Sequence, residues 1–132
     1  MPRATGTFEV KLAPVATDDD RIGNPLGRFS IEKRFSGDLT GTSTGEMLSA
    51  GSPAKGSAGY VAMERVNGAL AGRSGSFVFQ HSATMHRGVN RLSIQVVPAT
   101  GTGELVGLSG TFAIVIEGGK HSYEFDYELT PG

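Results

Sequence analysis

The sequence predicts an all-β protein, an eight-stranded antiparallel β-barrel of the up-and-down kind, built as a single domain over residues 1–132. Three observations lead there. Short segments of alternating apolar and polar residues recur along the whole chain, and no stretch carries the three-to-four-residue spacing of an amphipathic helix. The 20 glycines are scattered between those segments without a collagen-like period, as turns, bulges and barrel bends are. Eight such segments joined by short links would leave exposed edges in an open sheet, and closure removes them. A two-sheet sandwich is the alternative arrangement.

Taken in order, Phe8, Val10 and Leu12 alternate with Thr7, Glu9 and Lys11, which predicts a half-buried strand over Thr5–Leu12 ended by Ala13-Pro14. Asp18-Asp19-Asp20 through Gly27 reads as a solvated loop, because the aspartates lack the ligand spacing and closing glutamate of an EF-hand. Arg28–Ser36 sets Phe29, Ile31 and Phe35 on one face, with Lys33 interrupting that apolar side. Gly37-Asp38 then turns into a third strand, Leu39–Leu48, whose glycines suit close approach of another backbone. Ser49–Gly59, rich in Gly, Ser and Pro, is expected to be a flexible loop.

The organising hairpin pairs Tyr60–Val66 with Arg73–Ser82 through a tight Asn67-Gly68 turn, and it sets Phe77, Phe79 and His81 on one face. Ala83–Val89 reads as a loop before Leu92, Ile94 and Val96 alternate in a strand that Pro98 stops. Thr111–Glu117 is apolar on both faces in part, which suits a strand central to a sandwich or packed on a second subunit, with Ala113 and Val115 in the contact. Gly118-Gly119 leads into the last strand, where His121, Tyr123, Phe125, Tyr127 and Leu129 oppose Lys120, Ser122, Glu124, Asp126 and Glu128.

Composition narrows the function classes. The formal charge is −1 and basic residues are interleaved with acidic ones, so there is no basic stripe to neutralise phosphates and no nucleic-acid partner is expected. No apolar run approaches the roughly 20 residues of a membrane-spanning helix, and the N-terminal residues lack a signal-peptide core, which predicts a cytoplasmic protein without a membrane partner. With no cysteine there is neither a disulfide framework nor a thiolate nucleophile.

Gly68–Phe77, Gln80-His81, Val96-Val97-Pro98, the run Gly101–Phe112 and His121–Leu129 resemble a bacterial family labelled only as a domain of unknown function, DUF3224. That family is similar in fold to plant allene oxide cyclase and, more distantly, to dirigent proteins, barrels that guide ring closure or coupling of reactive apolar molecules. The resemblance implies an allene oxide cyclase-like barrel with a mostly apolar interior, and a homo-oligomer. It carries over no catalytic residues.

If the aromatic faces point inward, the lumen receives Glu64 and His81 together with Tyr60, Phe77, Phe79, His121, Tyr123, Phe125 and Tyr127. Glu64 and His81 are the candidate catalytic pair: a desolvated carboxyl with a raised pKa beside an imidazole is able to exchange protons near neutral pH. The other seven are candidate ligand-binding residues. Against this stand plainer expectations: a core-satisfied His81, and a Glu64–Arg73 ion pair across the hairpin. His81, His121 and Glu64 also form a nominal two-His-one-carboxylate set, but no ligand spacing supports it, so neither metal nor cofactor is expected. Lys33 is expected to reach solvent with its ammonium. The reading that results is a barrel binding a small apolar molecule, as a cofactor-independent cyclase or isomerase. The alternatives are a non-catalytic binding module and a filled barrel acting through homo-oligomeric association.

Overall fold

The structure is a computed structural model, which describes residues 2–15, 26–51 and 56–130. The strands are β1 Arg3–Pro14, β2 Leu26–Gly37, β3 Leu39–Gly51, β4 Ala58–Leu70, β5 Arg73–His86, β6 Val89–Val96, β7 Leu108–Glu117 and β8 Lys120–Leu129. They form one closed antiparallel barrel in chain order, with β8 returning to β1 through Arg3–Asp126 to Thr7–Ser122. A 3₁₀ turn, Gly103–Leu105, lies between β6 and β7. The Asp18–Asp20 triplet lies outside the described residues.

Alternation decides which side chains enter the lumen, and the inward set packs one end of the barrel with apolar side chains. There Phe35, Leu39, Val66, Leu70, Phe77, Phe79, Leu105, Phe112, Tyr123 and Phe125 are all buried in one cluster. The rings of Phe77, Phe79, Phe112 and Phe125 sit 4.8–6.1 Å apart between neighbouring centroids, several edge to face. On β7 the inward Phe112 belongs to that cluster, while Ala113 is exposed and Val115 half-buried on the outer face.

Three connections differ from the sequence reading. The β4–β5 hairpin does not turn at Asn67-Gly68: Asn67 pairs with Ser76 and Gly68 with Gly75, and the chain reverses at Ala71-Gly72, with φ of 49° and 84°. Both left-handed residues match the primed turn that a two-residue hairpin needs. This longer hairpin keeps Leu70 in the lumen, where it is fully buried beside Val66. Gly68 serves packing instead, because a Cβ there would lie 1.9 Å from the Thr40 carbonyl oxygen of β3. Gly68→Ala is accordingly expected to destabilise the barrel by about 1–3 kcal/mol through overpacking. Gly51→Ala, which meets nothing within 4 Å, is expected to be near neutral when the two variants are compared by urea titration.

The second difference is Ala83–Val89. It is not a loop: β5 continues to His86, with Ala58 opposite Met85 and His86 opposite Val89, and only Arg87-Gly88 turns. Residues of the expected loop Ser49–Gly59 likewise extend β3 to Gly51 and begin β4 at Ala58. Together these extensions raise the barrel wall above the aromatic core.

Candidate functional site

Four adjacent strands bring four inward polar side chains to one level. Register sets Lys33 of β2 opposite Ser43 of β3, and Gly45 of β3 opposite Glu64 of β4, while His81 of β5 faces Ala62, one inward position above Glu64. The Lys33 ammonium lies 3.1 Å from Glu64 Oε1, and His81 Nε2 lies 2.7 Å from the same oxygen. Ser43 donates its hydroxyl to Oε2. Glu64 is fully buried and Lys33 only 8% exposed, so this is an ion pair inside the barrel wall, with the ammonium also 5.1 Å from the Phe8 ring centroid.

The electrostatics differ from the sequence expectation. Burial is the largest single influence on Glu64 and pushes its pKa up. The hydrogen bond with His81, the charge of Lys33, the hydrogen bond from Ser43 and the charge interaction with His81 together outweigh it and hold the carboxyl below its ordinary value of 4.5. Glu64 is thus a carboxylate at neutral pH, not a raised-pKa acid. Its expected partner Arg73 is elsewhere, opposite Leu70 at the lower turn. Lys33 does not reach solvent, because the carboxylate one strand beyond its neighbour supplies the counter-charge that water would have given.

Above this level the lumen opens. Ser49, Tyr60, Ala83 and Leu92 form the next inward ring, each opposite the next across β3–β4, β4–β5 and β5–β6. With Met47 and Met85 they line a cavity of about 310 Å³, at the small end of ligand-sized pockets. Tyr60 joins the two levels, its ring centroid 6.4 Å from that of His81. Burial, and secondarily the charge of Glu64, push the Tyr60 phenol up, so it is a hydrogen-bond donor at neutral pH.

Of the nine sequence-derived candidates, Glu64 and His81 meet, and Tyr60 is the one that lines the cavity. Phe77, Phe79, Tyr123 and Phe125 face the lumen as expected, but each is at most 1% exposed and packed into the core below. Tyr123 is a latch there: its hydroxyl accepts the Leu39 N–H at 2.9 Å and shares its proton between the carbonyls of Ser36 and Leu39. Tyr123→Phe is expected to cost about 1–3 kcal/mol, the penalty for stranding buried backbone groups, read from the urea midpoint. Tyr127 packs on Phe125, and His121 stacks near Phe8 with centroids 5.3 Å apart. His121 therefore does not join His81 and Glu64, and the described residues contain no group of three or more His, Cys, Asp or Glu placed to hold a metal.

Sequence reasoning passed over Ser43 and the cavity residues Met47, Ala83, Met85 and Leu92. A signal for the ion pair was present, since Lys33 and Glu64 each interrupt an inward apolar face in phase and carry opposite charge.

Fold and site together define a class: closed eight-stranded barrels with a packed aromatic floor, a buried charged level and a small apolar chamber at one end. Within that class the chain belongs to the DUF3224 family, described only as a protein of unknown function, whose model matches residues 4–127. It is similar to a crystal structure from Shewanella oneidensis MR-1, described as a protein with unknown function from that family. The two share 52% sequence identity and a TM-score of 0.95, over 100% of this chain and 99% of the other. No curated protein matches the chain.

Proposed function

We propose that the protein binds a small apolar molecule in the upper lumen of the barrel. The observation that carries this is the chamber itself, walled by Met47, Ala83, Met85 and Leu92, with one phenol donor at Tyr60. Methionine side chains adapt to flat or irregular apolar ligands, and a few inward polar groups, here Tyr60 with Ser49 and Asn90, are enough to orient one oxygen-bearing molecule. The test is fluorescence titration with 8-anilinonaphthalene-1-sulfonate (ANS), compared with Ala83→Phe, which fills the chamber from its wall. The expected result is saturable binding that weakens about tenfold or more in the variant, equivalent to about 1.4 kcal/mol or more. Equal binding by both proteins would remove the chamber from the reading.

A second reading, a cofactor-independent cyclase or isomerase, is favoured by the Tyr60–His81–Glu64 succession. Nε2 of His81 is committed to Glu64, which fixes the ring, while Tyr60 donates to an oxygen that gains charge. Confinement of one reactive conformer would supply the rest. On this reading Tyr60→Phe lowers turnover of a bound substrate more than its affinity; on the binding-module reading it changes affinity alone.

A further inference from the structure

The wall around the chamber is not uniformly closed. Seams elsewhere in the barrel are paired over at least five residue pairs, whereas β6 and β7 lie side by side but are paired at one, Gln95 with Thr111. Continuing that register upward would set Val89 opposite Glu117, so the strands overlap in height and still do not pair. Above the joint, β6 is bonded to β5 and β7 to β8, and among the described residues the two facing edges are unpaired.

Exposure changes at the same point. On β6, inward Ile94 is 2% exposed, and the next inward residue up, Leu92, is 43%. On β7, inward Phe112 is 5% exposed and Ile116, on the same face, 62%. Below the joint the wall is tied: Thr100 Oγ1 accepts the Val78 N–H at 3.1 Å, Thr102 Oγ1 accepts the Ser76 N–H at 3.0 Å, and Leu105 is fully buried. The seam is thus fixed at its lower end and open above.

Asn90 and Leu92 line the chamber and also stand on the unpaired edge of β6, so chamber and seam are continuous. We propose that the upper β6–β7 seam is a lateral part of the ligand site, through which the molecule reaches the lumen and into which it extends. This rests on the upper lumen being the binding site. It also specifies the ligand class. Water serves the exposed edge groups while the seam is empty, and a ligand that displaces it has to satisfy those N–H and C=O groups, so the portion in the seam carries amide, ester or hydroxyl groups while the portion in the chamber is apolar.

The chain has no cysteine, so Ser93→Cys with Ala113→Cys introduces one defined pair. These positions face each other on the outer wall if the Gln95–Thr111 register is extended. Oxidation closes the seam and reduction restores it. Stopped-flow ANS binding is expected to be about tenfold or more slower, in both directions, for the oxidised protein than for its reduced form. Equal rates, with the disulfide verified by mass, would overturn the lateral route while leaving the chamber intact. Absence of saturable ANS binding to the unmodified protein would instead sink the chamber, and the seam with it. Hydrogen exchange of the unmodified protein gives a readout free of variants. Amides of residues 89–94 and 112–117 are expected to gain protection when ANS saturates the site, and no gain there would also overturn the proposal.

Discussion

Glu64→Gln is expected to destabilise the folded barrel by about 3–5 kcal/mol, the usual penalty for removing one partner of a buried ion pair. The loss comes from the group left behind: the Lys33 amine, at 8% exposure, loses its counter-charge and is costly to bury in either protonation state. Gln offers an oxygen to one of His81 and Ser43 and an NH2 donor to the other, and both the imidazole and the hydroxyl are able to accept, so those hydrogen bonds contribute little to the difference. Adding Lys33→Met removes the stranded amine, and the double variant is expected to recover most of the stability, since a well-packed neutral replacement of such a pair is often neutral or better. Urea denaturation with a two-state fit reads both numbers. A single variant as stable as the native protein would mean that Lys33 finds water, and the buried level would lose its electrostatic account.

The same pair sets a pH dependence. Because the folded-state pKa of Glu64 is depressed below 4.5, its contribution is fully present above that unfolded-state value. It is lost as the pH falls through the folded-state pKa, where both states become protonated. The native protein should therefore lose stability on acidification below about pH 4.5 more steeply than Glu64→Gln, which has no proton to take up there. Parallel stability profiles for the two proteins between neutral and acidic pH would contradict a depressed carboxylate.

How far the sequence revealed this site depends on the range of the interaction. Period-two alternation is local, so all eight strands were legible, and the last of them, Lys120–Leu129, has the bounds that its pattern suggests. The Asn67-Gly68 turn was misplaced because a strong local preference was outweighed by burial of Leu70 and by the contact of Gly68 with β3, neither visible in a short window. Lys33 and Glu64 each look like a fault in an apolar face when read alone. Only the registers of two seams show that the two faults compensate one another. Lumen filling was least legible, because an inward aromatic reads identically whether it lines a chamber or occupies one.

That last ambiguity is what Phe79→Ala resolves. Phe79 is 1% exposed and lies opposite Glu64 across β4–β5, with ring centroids of Phe77, Phe112 and Phe125 at 4.9, 4.8 and 5.3 Å. If it is floor and not lining, its truncation costs about 3–5 kcal/mol from lost transfer energy and from the void left among rings that cannot collapse into it. ANS affinity at the chamber should then stay within about twofold, because Ala62, His81 and Ile94 still separate the void from Tyr60 and Leu92. The two readouts are independent, and they move in opposite senses to those of Ala83→Phe, which blocks the chamber while sparing the core. A Phe79→Ala protein that kept its stability and lost ANS binding would invert the assignment: the lumen would be open through its length, and Phe77, Phe79, Tyr123 and Phe125 would become ligand contacts.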